Sequence, residues 1–240
     1  MSKQNKIERA IIMAAGKGTR MKPITLETPK PLIKVNGKRM IETIIDGLME
    51  NGINEIYIVV GYLKEKFNIL LEKYPNIILI ENPYYDKCNN ISSLYVARNY
   101  IKNTIILDGD QVIYNKDILK KEFSKSGYNC VWTNQETEEW ILEVKDNKVK
   151  SCSKEGGKNG WQLFSISRWT REDGEKLKKY LEIEFEENKN RNIYWDEVAL
   201  INYKEEFDLG IYEMNFKDVI EIDNFYELVN IDKTYGDKIK

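Results

Sequence analysis

Histidine is missing from all 240 residues of the chain. Its absence removes Ser-His-Asp and Cys-His catalysis, imidazole general bases and His-ligated zinc or haem. Cysteine is scarce, and Cys88, Cys130 and Cys152 are widely spaced. No CxxC metal or redox pair exists, and an odd count argues against a disulfide framework. No apolar run approaches roughly 18 residues, so no membrane span is expected. The opening MSKQNKIERA lacks the apolar core of a signal peptide, which makes a cytoplasmic protein the expectation. Excess charge is missing too: 37 Lys and Arg stand against 39 Asp and Glu, for a formal net charge of −2. That balance gives no reason to expect nucleic acid or an anionic membrane as the main partner. The chemistry must come from carboxylates, Lys, Arg, hydroxyls, backbone amides and an oxygen-seeking metal.

What is present is enough for a core: 42% hydrophobic and 11% aromatic residues. The first 110 residues alternate between strand and helix patterns. Strands are expected at Ala10–Ala15, Glu55–Val60, Ile77–Glu81 and Thr104–Asp108. Helices are expected at Met40–Asn51, Leu63–Tyr74 and Ser92–Tyr100. Gly52 offers a natural C-cap to the first of these. The alternation implies a parallel sheet covered on both faces. The second half changes character. Asn129–Thr133, Trp140–Lys145, Lys148–Ser153 and Trp161–Trp169 read as strands, the middle pair joined at Asp146-Asn147. Helices follow at Arg171–Asn188 and Tyr194–Lys204, then strands near Leu209–Asn215 and Val219–Asp223, and a closing helix Phe225–Tyr235. The expected fold class is α/β, with a Rossmann-like mixed, mostly parallel sheet flanked by helices and a small substrate-binding extension. One domain over 1–240 is expected, with a nucleotide-binding part at about 8–125 and a substrate- and metal-binding part at about 126–240.

The sharpest signal is Ala14-Ala15-Gly16-Lys17-Gly18-Thr19-Arg20-Met21, followed by Thr28-Pro29-Lys30-Pro31-Leu32, directly after the first strand. Gly16 and Gly18 let the backbone approach phosphate oxygens with amides aimed inward. Arg20 and Lys30 would neutralise a triphosphate. The run is not a P-loop, which needs GxxxxGK[ST], nor a Rossmann fingerprint, because Met21 stands where the third Gly should be. A surface turn with scattered basic residues is the bland alternative. Asp110 sits just past the carboxyl end of a buried strand, where open α/β sheets place ligands, although a turn residue there needs no function.

This run resembles the signature of the nucleotidyltransferases that join a nucleoside triphosphate to a phosphorylated small molecule and release pyrophosphate. The usual pattern there is GxGTR, then PKPL, then a KPxI helix start. Here Lys38-Arg39-Met40-Ile41 fills the last place, with Arg39 for the usual Pro. The resemblance covers nearly the whole chain. Within the superfamily the sequence looks most like the bacterial CTP:phosphocholine cytidylyltransferases. Val60-Gly61-Tyr62-Leu63-Lys64-Glu65, Asn89-Asn90 with Ser93-Leu94-Tyr95, Asp108-Gly109-Asp110, Glu139-Trp140, Tyr194-Trp195-Asp196 and Ile220-Glu221-Ile222-Asp223 carry that closer match.

The resemblance implies Mg²⁺ on Asp110 and Asp223, a donor set that suits an ion preferring one or two carboxylates plus phosphate oxygens. Asp108 and Glu221 remain open as exchanges with those neighbours. It implies a nucleotide site at Ala14, Ala15, Gly16, Gly18, Thr19, Arg20 and Lys30. Asn90, Ser92 and Ser93 would read pyrimidine and ribose, although helix capping explains one of them. Trp140, Tyr194, Asp196 and Glu221 would cage a quaternary ammonium, since such a group is held by aromatic faces with a carboxylate nearby. Trp132, Trp161 and Trp169 are read as packing. Arg20, Lys30 and Asp110 are the expected catalytic residues, and CTP and phosphocholine, or a related phospho-amine, the expected partners. The alternatives are 2-aminoethylphosphonate or phosphoethanolamine, then a sugar 1-phosphate, then an inactive binding module. The absent histidine also excludes the other cytidylyltransferase design, whose HxGH motif holds the triphosphate with imidazoles.

Overall fold

A run of six residues, Arg9–Ala14, forms the first strand of the main sheet (β1), and its side chains alternate between two hydrophobic clusters on opposite faces. Ala10, Ile12 and Ala14 pack on one side, and Ile11, Met13 and Ala15 on the other. That period of two is the geometry of a pleated strand covered on both faces. The computed structural model describes residues 4–239. After β1 come α1 (Met40–Glu50), β2 (Glu55–Val60), α2 (Asn68–Lys73), β3 (Ile77–Glu81), α3 (Ile91–Val96), β4 (Thr104–Asp108) and β5 (Gln111–Ile113). The second half contributes β6 (Gly127–Thr133), β7 (Ile141–Lys145), β8 (Lys148–Ser153), β9 (Gly160–Trp169), α4 (Arg171–Glu182), α5 (Trp195–Glu197), β10 (Gly210–Glu213), β11 (Val219–Glu221) and α6 (Phe225–Ile231).

The main sheet runs β8-β7-β9-β4-β1-β2-β3, with β6 on β9 and β10 on β6. From β4 to β3 every pairing is parallel. Strand β9 runs antiparallel to β4, β6 and β7. Its ten residues let its early part hold β7 while its late part holds β4. The expected extension is therefore a continuation of the same sheet. It does not stand apart as a separate layer.

The expected helices are shorter than the apolar spacing suggests. Leu63 takes a left-handed φ of 49°, a 3₁₀ turn covers Lys64–Phe67, and α2 starts only at Asn68. The segment expected as one helix over Arg171–Asn188 is α4 followed by a π-helical turn, Ile183–Glu187. Tyr194–Lys204 divides into α5, a π-helical turn at Val198–Asn202 and the start of a 3₁₀ turn, Lys204–Glu206. The short strand β5 was not expected, because it exists through pairing with β11 about a hundred residues later. Among the tryptophans read as packing, Trp169 is fully buried, while Trp132 is half exposed and meets Trp161 edge-on. No helix among the described residues is long and apolar enough to cross a membrane.

Gly127 and Gly210 face each other where β6 and β10 pair. A Cβ on Gly127 would stand 2.2 Å from the Gly210 carbonyl oxygen, so backbone must move to admit it. Overpacking of this kind costs about 1–3 kcal/mol. We expect Gly127→Ala to lower Tm by roughly 3–10 °C in a calorimetric scan, and an unchanged Tm would show that this strand junction is not tight.

Candidate active site

A third hydrophobic cluster fixes the site. Met21, Ile33, Met40, Val112, Ile222 and Leu228 pack together, all but Val112 at most 1% exposed. Met21 anchors the glycine loop, and Ile222 anchors the segment after β11. Their sequence neighbours are therefore brought face to face. Arg20 stands against Asp223, with Nη2 donating to Oδ1 at 2.9 Å. Asp110 arrives from the end of β4, where the Gly109 N–H donates to the Met13 carbonyl at 2.8 Å. The β5–β11 ladder sets Glu221 opposite Gln111.

Lys30 lies at the centre. Its side chain is buried, and Nζ sits 2.6 Å from Asp110 Oδ2 and 3.1 Å from Asp223 Oδ1. Burial alone would lower its pKa. Asp110 first, then Asp223, outweigh that and raise it, so the ammonium form is held. Gly18 is left-handed at φ 58°, and a Cβ there would meet Lys30 Cβ at 2.9 Å. The loop lies directly on the lysine because Gly18 has no side chain. Thr25 Oγ1 donates to the Gly18 carbonyl at 2.9 Å and holds the loop in place.

Asp110, Glu221 and Asp223 each offer a carboxylate oxygen, and these atoms lie within 4.8 Å of one another. Asp110 Oδ1 is enclosed with no hydrogen-bond partner. Three hard oxygen donors with one unsatisfied oxygen fit a divalent cation of the Mg²⁺ type. Burial, then Asp110, Asp108 and Asp223, push the Glu221 carboxyl well above its ordinary range. A cation added to this group would relieve that crowding.

Two recesses meet here. The first, about 270 Å³, is lined by Ala14, Gly16, Gly18, Thr19, Arg20 and Lys30 among others. The second, about 260 Å³, includes Asn90, Trp140, Tyr194, Asp196 and Glu221 in its wall. Arg20 and Asp223 line both. Trp140 and Tyr194 stand 5.6 Å apart at 82°, which makes a corner of two aromatic walls. Asp196 is 6% exposed, and burial pushes its carboxyl up to about 7. Asp108 belongs to the second recess, where it hydrogen-bonds Ser165, and it stays outside the three-acid group.

Other expected residues have different neighbours. Ser92 is 1% exposed. Its hydroxyl donates to the Asn89 carbonyl and accepts from Asn82 Nδ2. Ser93 is also buried and accepts from Asn82. Asn90 lines the second recess, but its Oδ1 is taken by the Trp195 N–H at 2.9 Å. Ala15 is buried, with its carbonyl accepting from Tyr62 N–H. Sequence reading missed Thr25, Asn82, Ser165 and Tyr128, whose hydroxyl lies against the Asp196 carboxyl. Each is an isolated polar residue whose role exists only through a partner from another element.

An acid-ringed cation position beside a glycine loop with Arg and Lys is an arrangement for handling phosphates. Comparison with known proteins agrees. Residues 9–136 match the family model described as nucleotidyl transferase, and the chain belongs to that family. It is 38% identical over 229 residues to the 2-aminoethylphosphonate cytidylyltransferase of Lancefieldella rimae, covering 94% of this chain and 92% of that one. It is 36% identical over 217 residues to the choline-phosphate cytidylyltransferase of Streptococcus pneumoniae, covering 90% and 93%. The solved CTP:phosphocholine cytidylyltransferase of S. pneumoniae superposes with a TM-score of 0.86 at 33% identity, over 95% of this chain and 99% of that one.

The geometry makes Lys30 a competitor for any metal at Asp110 and Asp223. We expect Lys30→Met to bind Mn²⁺ about tenfold more tightly than the natural protein in the absence of nucleotide, as read by Mn²⁺ electron paramagnetic resonance. Equal or weaker binding would show that the ammonium does not occupy the metal position.

Proposed function

We propose that the chain is a cytidylyltransferase. It moves a cytidylyl group from CTP to the phosphate or phosphonate of a small molecule bearing a cationic nitrogen, and releases pyrophosphate. The observation that carries this reading is the junction of the two recesses at Arg20 and Asp223. The basic recess suits a triphosphate, and the aromatic and acidic recess suits a compact cation. Phosphoryl chemistry falls where they meet. Both relatives described above bear cytidylyltransferase names, which supports the nucleotide and the reaction class.

The nucleophile is an oxygen of the incoming phosphate or phosphonate. It is already ionised at neutral pH, so no general base is required. This oxygen attacks the α-phosphorus in line and forms a new P–O bond. The bond from the α-phosphorus to the bridging β-oxygen breaks, and pyrophosphate leaves with that electron pair. Catalysis reduces to positioning and charge neutralisation. Gly16, Gly18, Thr19 and Arg20 line the first recess, where their amides and the guanidinium would hold the triphosphate. Lys30 stands where charge develops at the α-phosphate. Asp110 and Asp223 would hold Mg²⁺, which would supply Lewis-acid neutralisation of the phosphate oxygens.

Two head groups fit the second recess on different grounds. The Trp140–Tyr194 corner favours the trimethylammonium of phosphocholine. The surrounding carboxylates favour the primary ammonium of 2-aminoethylphosphonate or phosphoethanolamine. A sugar 1-phosphate is the weaker reading, because the wall carries acids and rings and few donors for hydroxyl oxygens.

Asp110→Ala is expected to lower kcat by at least a factor of about 10² while Tm stays within a few degrees. Near-normal turnover in a pyrophosphate-release assay would remove the metal assignment. Trp140→Ala is expected to raise KM for the amine substrate about fivefold or more, with KM for CTP much less affected. Equal changes in both would take Trp140 out of the head-group site.

A further inference from the structure

We infer that Gln111 is a positioning residue for the divalent cation. Its side-chain amide donates to the Glu221 carboxylate and holds that acid as the third ligand beside Asp110 and Asp223. This rests on the metal assignment made within the cytidylyl-transfer reading and goes beyond it.

Gln111 breaks the pattern of the strand that carries it. In the β5–β11 ladder, Ile113 stands opposite Val219, Val112 opposite Ile220 and Gln111 opposite Glu221. Residues paired in this way put their side chains on the same face. Ile113 and Val219 pack in the cluster that holds Ala10, Ile12 and Ala14, whereas Val112 and Ile220 pack in the cluster of Met21 and Ile222. Alternation along each strand then puts Gln111 and Glu221 on the face of Ile113 and Val219. An apolar side chain would continue that buried face. Gln111 is instead 0% exposed, and its Oε1 and Nε2 are both enclosed with no hydrogen-bond partner. Buried polar atoms left unpaired cost stability, and an apolar residue of the same shape avoids that cost. Nothing among the described residues offsets it.

Glu221 is placed to use the idle amide. Side chains directly opposite in an antiparallel ladder have Cβ atoms about 4.5–5.5 Å apart, within reach of a glutamine. Asp110 and Asp223 are each held by Lys30, and Asp223 by Arg20 as well. Glu221 offers its oxygen to the same position, within 4.8 Å of theirs, yet it makes no ion pair among the described residues. A carboxylate that gives one oxygen to a cation needs a donor for the other, and such outer partners fix the orientation of the ligand. The Gln111 amide brings two N–H donors to that place. Gln111 lines neither recess, so it acts through Glu221 and does not touch substrate.

The test is a double-mutant cycle on metal affinity, read by Mn²⁺ electron paramagnetic resonance without nucleotide. Gln111→Met keeps the length of the side chain and removes the amide. It is expected to weaken Mn²⁺ binding about tenfold, with Tm unchanged or raised because an unpaired buried group is gone. In a Glu221→Ala background the same change is expected to cost nothing further. Unchanged Mn²⁺ affinity in Gln111→Met would overturn the inference alone, and so would equal losses in the two backgrounds. Mn²⁺ bound by neither the natural protein nor Lys30→Met would overturn the metal assignment and this inference with it. A second measurement needs no variant. In natural protein labelled with ¹⁵N-glutamine, four side-chain amides are to be resolved. When Mg²⁺ is added to the protein with CTP already bound, the assigned Gln111 amide protons are expected to shift downfield and to exchange more slowly with solvent. A Gln111 signal that does not respond to Mg²⁺ would contradict the proposed hydrogen bond to Glu221.

Discussion

The Lys30 ammonium, held between Asp110 and Asp223, is the contact on which the site depends. It joins three segments that are remote in sequence: the PKPL run, the end of β4 and the segment after β11. The packing of Met21, Ile33 and Ile222 in one hydrophobic cluster holds the same segments together independently of the ion pair. The ion pair keeps the carboxylates occupied before any ligand arrives. On the proposed reading, a triphosphate entering the first recess would compete for Lys30 and Arg20, draw both cations off the acids and free the acids for a divalent ion, so that nucleotide and metal would favour each other's binding.

The missing histidine follows from the same chemistry. An attacking group that arrives as an anion has no proton to surrender at neutral pH. The work left to the protein is electrostatic, and lysine, arginine, backbone amides and carboxylates do it without a base. The acids serve two ends of one cleft. Asp110, Glu221 and Asp223 crowd one another near Lys30, while Asp196 lines the second recess with Trp140 and Tyr194.

Much of the frame was legible because its signals are local. The strand bounds of β2, β3, β4 and β8 coincide with the expected ones, since short buried or turn-bounded strands announce themselves by composition. The glycine loop, Lys30 and Asp110 were legible through a motif with a stated mechanism. The helices were overextended where the chain shifts to 3₁₀ or π turns, because the apolar spacing of an α-helix persists through such shifts. Strand β5 could not be found in three residues whose partner is remote. The hydrogen bond that Asn82 donates to the Ser92 hydroxyl could not be read from the sequence, because it depends on how the two segments pack. The sequence left Glu221 open as an exchange with Asp223, and its grouping with Asp110 and Asp223 depends on Met21 and Ile222 sharing one cluster.

The most direct measurement is a crystal structure with CTP and Mg²⁺ bound. The account predicts that Lys30 Nζ leaves Asp110 and Asp223 for a phosphate oxygen, and that both carboxylates coordinate the metal. A bound nucleotide with Lys30 still within hydrogen-bond distance of both acids would contradict it.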